Sequence, residues 1–258
     1  ALPAGWTGIF AAIPFAIWFF LGIEGIGNLA EETVDPKRTM SRGFLAALFT
    51  LIVLCMFTFA GAVGVGGWEA VVLNADGSTS DAPLPMALSV LKDAEGWKFT
   101  FLGVVGLFGL VASFHGLLLA AGRSSCEFSR VIFPGSGLGR VNTKFKTPVL
   151  ALIVNGVIGI TALLTGRTGE IITLSVFGAL SLYCISMMAV IRLRRNFPEL
   201  ERPFVAPFFP WFPRIALAIA FMALSAVTFY NLKVAMVFVL IIGGCFGIFK
   251  ARNANMKS

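Results

Sequence analysis

Apolar residues run through this chain in stretches too long for the core of a soluble domain, with the polar positions gathered between them. Runs of spanning length fall at roughly 9–33, 43–66, 99–122, 148–165, 170–191, 213–231 and 234–249, since a helix needs about 20 apolar residues to cross a hydrocarbon layer. Seven helical spans are predicted, the first of them broken. The runs are longer than a tilted barrel strand and lack strict apolar/polar alternation. The expected fold class is an all-α polytopic membrane protein.

The break is read from Trp18-Phe19-Phe20-Leu21-Gly22-Ile23-Glu24-Gly25-Ile26-Gly27-Asn28, where three glycines flank a carboxylate at membrane depth. Gly22, Gly25 and Gly27 each cost roughly 1 kcal/mol against alanine in a helix, and together they favour unwinding around Glu24. Irregular backbone in a bilayer is tolerated only against protein or a water-filled cavity. An ionisable residue there marks a functional site by default, and secondary transporters build substrate sites from discontinuous helices near the midplane. Unwinding at Gly22, Ile23 and Gly25 would offer carbonyls to an ammonium group and leave amides of the second half-helix free for a substrate oxygen. Glu24 is then the partner of a substrate amine or a proton carrier, with a structural ion pair as the competing role. Trp18 and Phe20 are candidates to stack on a bound cation, against plain packing or interface anchoring. Asn28, one turn beyond Glu24, caps the break or bonds another helix.

The segments between spans have their own characters. Asn74-Ala75-Asp76-Gly77-Ser78-Thr79-Ser80-Asp81 is polar and turn-rich, and Ala87, Val90, Leu91 and Ala94 then recur at helical spacing. That spacing predicts a short helix on the outer surface at about 85–95. Pro134-Gly135-Ser136-Gly137-Leu138-Gly139 reads as a flexible turn, because a glycine pattern with no strand before it is weak as a nucleotide loop. Pro198, Pro203, Pro207, Pro210 and Pro213 predict an extended connector. Asn231-Leu232-Lys233 joins the last two spans tightly enough to predict an antiparallel hairpin.

Composition agrees with the pattern and excludes a soluble globule, the chain being 57% hydrophobic and 13% charged. Charge adds an orientation. Sixteen of the 20 lysines and arginines fall on alternate sides of successive spans in one set: 37–42, 123–146, 192–214 and the tail. The positive-inside rule makes that side cytoplasmic, so the N-terminus of the chain is expected outside and the C-terminus inside. The net charge of +7 is accounted for by this asymmetry and requires no nucleic acid partner. Cys55, Cys184 and Cys245 fall within spans and Cys126 at a helix end, which predicts four reduced thiols. No metal-ligand spacing and no cofactor motif are present. Residue 1 is Ala, with no initiator Met or signal peptide before it, and an N-terminally incomplete protein is expected.

Further polar residues lie within the spans. His115, beside Ser113, is a candidate proton relay or an interhelical hydrogen-bond partner. Asn155, Ser175, Ser181 and Tyr183 are read mainly as packing residues, with Tyr183 kept among the gating candidates. Glu31 and Glu32, at the cytoplasmic end of the first span, are gate ion pairs or solvated carboxylates.

The wording of Trp18 to Gly25, then Ala30-Glu31-Glu32-Thr33-Val34-Asp35-Pro36-Lys37-Arg38 and Arg42-Gly43, resembles the sixth helix and following loop of the amino acid, polyamine and organocation transporter superfamily. Ile9 to Gly25 looks most like its ethanolamine permease branch. Lys146-Thr147-Pro148, and Arg192 and Arg194 running into Pro198-Glu199-Leu200-Glu201-Arg202-Pro203-Phe204 with Pro207, are further family-like signatures. One segment departs: Phe128-Ser129-Arg130-Val131-Ile132-Phe133-Pro134-Gly135 stands where the family has alanine-arginine-glycine and then leucine-proline. The resemblance implies a fold of two inverted five-helix repeats plus two extra helices, of which this chain carries family helices 6 to 12. Residues 1–195 would be the second inverted repeat, and residues 196–258 a C-terminal helix hairpin with a cytoplasmic tail. The N-terminal repeat would then lie outside these residues.

Together these readings imply a secondary active transporter, not an enzyme, in a plasma or inner membrane. Its expected cargo is a small amine, ethanolamine or an amino acid, with protons as a coupling ion. The expected substrate-binding residues are Trp18, Phe20, Gly22, Ile23, Glu24 and Gly25; Glu24, Asn28, His115 and Tyr183 are the coupling or gating candidates. A seven-helix receptor shares the topology and stands as the alternative. It is disfavoured because the last span has no lysine for a retinal Schiff base and no cysteine ties the third span to an outer loop. A catalytic constellation is also absent, with one histidine in the chain.

Overall fold

The computed structural model describes residues 5–74, 76–78, 80, 82–91, 96–202, 204–205 and 208–255, without the side chains of 28, 29, 31, 32 and 252–255. The predicted first span divides into α1 (Gly5–Trp18) and a 3-10 segment, Ile23–Glu32, with a turn between them. Next come α2 (Pro36–Gly66), two short helices α3 (Glu69–Val72) and α4 (Pro83–Val90), and α5 (Gly96–Ile132). Then α6 (Val149–Leu164), α7 (Thr168–Asn196), α8 (Trp211–Tyr230) and α9 (Leu232–Asn255) complete the chain.

Helix ends follow local chemistry. Pro36 opens α2 at its first position, where its missing N–H would have had no partner anyway. At the other end Gly67 takes φ +86 and its N–H returns to the carbonyl of Val63, a left-handed stop that glycine enters without a Cβ clash. Pro213 corrects the expected connector. It lies in the first turn of α8 and is buried, a position that tolerates proline for the same reason as Pro36. Pro203 and Pro207 lie outside the described residues. The expected outer helix is α4, which ends at Val90, whereas Ala94 lies outside the described residues; α3 was not foreseen.

Among the described residues, six stretches are long and apolar enough to cross a membrane: Gly5–Gly27, α2, α5, α7, α8 and Leu232–Ala251. Seven were expected. The fourth, at 148–165, is α6, whose 16 residues rise roughly 24 Å against about 30 Å of hydrocarbon. Pro148 limits it at one end, and Gly166, at φ +68, turns the chain into α7 at the other.

The core is built from α7, α8 and α9. Val176, Phe177 and Leu180 of α7 bury against Ala223 and Val227 of α8 and Ala235 of α9, and Ile13 and Ile17 of α1 pack on this cluster. Phe177 and Phe238 stack at 5.7 Å between centroids. The 3-10 segment belongs to other neighbours, packing on α2 and α5, while α5 packs on α6. Gly122 of α5 makes that last approach close: a Cβ there would lie 2.5 Å from Leu152 Cδ2. Asn155 of α6 donates to Ser125 Oγ of α5 at 2.9 Å and to its own Ala151 carbonyl, the packing role expected for it. The most apolar windows of α2 and α5 contain no buried residue, so their apolar faces are open in this chain. All four cysteines are free.

Candidate functional site

The turn at Phe19–Gly22 places Glu24 on a shoulder of the structure. Pro14 lies inside α1, four residues before its end at Trp18, and an interior proline removes one helical hydrogen bond. Phe20 and Leu21 then close tight turns onto the carbonyls of Ile17 and Trp18. Gly22 reverses the local hand at φ +98, and the 3-10 segment starts behind it. The break therefore precedes Glu24 instead of centring on it, and Pro14 is the residue in the sequence that signals it.

Two donors hold the Glu24 carboxylate. Its Oε2 accepts the Gly22 N–H at 3.1 Å and the Tyr183 O–H at 3.2 Å. The Gly25 N–H donates to the Gly22 carbonyl. The Gly22 and Gly25 amides are thus engaged within the chain. A carboxylate bonded to fixed donors is oriented by them, so Glu24 presents its remaining lone pairs in a set direction beside α7.

The other face of the segment is made of glycine. A Cβ at Gly22 would lie 2.9 Å from Leu117 Cδ2, and one at Gly25 would lie 3.3 Å from the Ala120 Cβ. These glycines let the segment lie against α5. A cleft of about 340 Å³ follows this contact, lined by Leu21, Gly22, Gly25, Ser113, Gly116 and Leu117 among others. Beside Gly27 a second cavity, about 310 Å³, is walled by Arg123, Glu127, Arg130 and Lys146. Arg130 there bonds Glu127 and the Gly139 carbonyl.

The remaining candidates separate. Trp18 is exposed, and Phe20 and Ile23 are half-buried. His115 is exposed on α5 and makes no hydrogen bond among the described residues, so no relay to Glu24 is formed. The side chains of Asn28, Glu31 and Glu32 lie outside the described residues. Ser175 bonds its own helix at the Ile171 carbonyl. Tyr183 is joined to Glu24 across 159 residues of sequence, and no local pattern announces that pairing.

The family model for amino acid permeases matches residues 1–249. The chain belongs to the amino acid permease family. That family is one of transporters and not of enzymes, and the seven-helix receptor reading falls with it. The chain is 29% identical to an uncharacterized transporter of Rhizobium meliloti, over 84% of this chain and 45% of the relative. It is 27% identical, with the same two coverages, to a branched-chain amino acid permease and to a methylthioribose transporter of Bacillus subtilis. The chain spans about half the length of the curated relatives it matches. No solved structure matches it. The family model, matched over nearly the whole chain, carries the family assignment.

Proposed function

We propose that this permease chain forms one wall of a secondary transport pathway for a small solute bearing an ammonium group, an amino acid or an amine such as ethanolamine. The observation that carries this reading is the Glu24 carboxylate, held by the Gly22 N–H and the Tyr183 O–H at an interruption of an apolar span. Fixed donors leave it charged acceptor positions that complement a cation. Family membership supports a solute of amino acid character, and the branched-chain amino acid permease among the relatives fits an ammonium-bearing cargo. The methylthioribose transporter widens the class to solutes without that group. Substrate sites of this architecture lie between two repeats. In this reading residues 1–195 are the second repeat, residues 196–258 the accessory hairpin, and α6 a short seventh crossing. Alternating access then works by moving the Glu24 wall against an opposing one, with a proton on Glu24 as the coupling device.

Uptake into proteoliposomes tests the cargo. Ethanolamine or a branched-chain amino acid is expected to be taken up saturably by protein translated from the longest reading frame containing these residues, and residues 1–258 alone are expected to give no flux. Competition by methylthioribose but by no ammonium-bearing solute would remove Glu24 from substrate recognition.

Orientation rests on the basic residues. The 74–78 turn is held polar, because Ser78, through its hydroxyl first and its amide second, keeps the Asp76 carboxyl below the usual carboxylate range. A cysteine replacing Asp76 is expected to react with an impermeant maleimide added to intact cells, and one replacing Ser136 only after permeabilisation. The reverse pattern would invert the topology and the repeat assignment.

A further inference from the structure

At the arginine-rich ends of α7 and α8, remote from Glu24, a cleft of about 390 Å³ opens under the connector that joins the two helices. Its lining is apolar: Met187, Val190 and Leu193 of α7, Phe204 of the connector, and Phe212 and Ala216 of α8. Leu193, Phe204 and Phe212 are each about half exposed, so the cleft is open at the side that faces the surrounding medium. Two guanidinium groups stand at its wall. They differ in what they do. Arg202 is consumed by the connector itself, donating to the carbonyls of Phe197, Pro198 and Leu200. Arg194 instead lies over the Phe209 ring, 4.0 Å from its centroid, and makes no hydrogen bond among the described residues.

We propose that this cleft binds an anionic phospholipid, one acyl chain lying on Leu193, Phe204 and Phe212 and the phosphate on Arg194. Three features fix that occupant. The cleft sits where two membrane-length helices meet their polar ends, beside the exposed Trp211, and tryptophan at such a place marks headgroup depth. Charge is complementary, because residues 192–202 hold four arginines against two glutamates, and Glu201 is already paired with Lys37 at 3.0 Å. The Arg194 guanidinium lies 4.0 Å from the Phe209 ring centroid and makes no hydrogen bond among the described residues, so its planar fork keeps its donors for a bidentate phosphate contact. Basic pockets between helices at the membrane surface recognise lipid headgroups in this way. A free phosphate would use the guanidinium and leave the apolar lining in water, so the lipid is the source that satisfies both parts.

Native mass spectrometry of the detergent-purified full chain tests this with phosphatidylglycerol and phosphatidylcholine of identical acyl chains. Retention of phosphatidylglycerol over phosphatidylcholine by at least fivefold is expected, with no adduct from glycerol 3-phosphate alone. Arg194→Gln should erase the preference, and Arg194→Lys, which keeps charge but not the planar fork, should leave part of it. Ala216→Trp, which fills the cleft and changes no charge, should lower retention of both lipids. Arg214→Gln, whose guanidinium lies over Trp211 outside the lining, should change nothing. Equal retention of the two lipids, an undiminished preference in Arg194→Gln, or unaltered retention in Ala216→Trp would each overturn the assignment.

Discussion

Replacing Glu24 with glutamine is expected to lower uptake of an ammonium-bearing solute by ten- to a hundredfold while leaving the protein folded and inserted. The amide keeps the size of the carboxylate and keeps an oxygen to accept the Gly22 N–H and the Tyr183 O–H. What it loses is the negative charge. A hydrogen bond to a charged group is worth about 1.5–3 kcal/mol, which is roughly one to two decades in affinity. The same substitution removes a titratable proton from the wall, so any pH dependence that arises there should flatten. Tyr183→Phe is the companion test. It takes away one of two donors to Oε2 and leaves the charge, so a few-fold loss with the pH profile retained is expected. The double variant should lose less than the two single losses combined, since the residues share one hydrogen bond. Initial-rate uptake across pH, normalised to inserted protein, provides the measurement. Wild-type uptake and an unchanged profile in Glu24→Gln would take Glu24 out of the mechanism.

A graded glycine series is the second large effect, and it reads stability directly. Gly22→Ala should destabilise the protein most. Its φ of +98 is a region that side chains rarely enter, at about 1–3 kcal/mol, and the new methyl would meet Leu117 Cδ2 at 2.9 Å. Gly25→Ala meets the Ala120 Cβ at 3.3 Å without an unfavourable φ, so its cost should be smaller. Gly27→Ala meets nothing within 4 Å and should be neutral to slightly stabilising, since alanine is the better helix former. Adding Leu117→Ala to Gly22→Ala removes the contact but not the backbone strain, and should rescue only in part. Thermal unfolding of purified variants, followed by monodispersity on size exclusion, ranks them. A Gly22→Ala protein as stable as the parent would show that the turn at Gly22 is not part of the folded state.

Much of the architecture was readable from the residues because lipid imposes long apolar runs and glycine marks their interruptions. The interval from Trp18 to Gly27 announced a break, and the structure places one there. Its form was harder to foresee. Whether the chain rewinds as α or 3-10 helix depends on contacts with Leu117 and Ala120 of α5, roughly a hundred residues away, and single-residue propensity carries no trace of them. The same limit applies to Tyr183: its position within an apolar run gave it a place among several packing residues, and only the approach of α7 to the break gives it a carboxylate. α6 shows the opposite failure. Its run was long enough by composition, but Pro148 and Gly166 cut the helix to 16 residues. Pro213 reads as a breaker by residue type alone, although the first turn of a helix has no use for its missing N–H.

The 3-10 winding of Ile23–Glu32 also carries a mechanical meaning. Its ten residues, at about 2.0 Å each, extend roughly 20 Å, whereas the same residues wound as α-helix would extend roughly 15 Å. Rewinding would shorten the segment by about 5 Å, close to one helical pitch, with Gly22 as the fixed end. α1 is anchored on α7 and α8, and the segment beyond Gly22 on α2 and α5. A change of winding would therefore draw one group of helices toward the other, with no helix needing to bend.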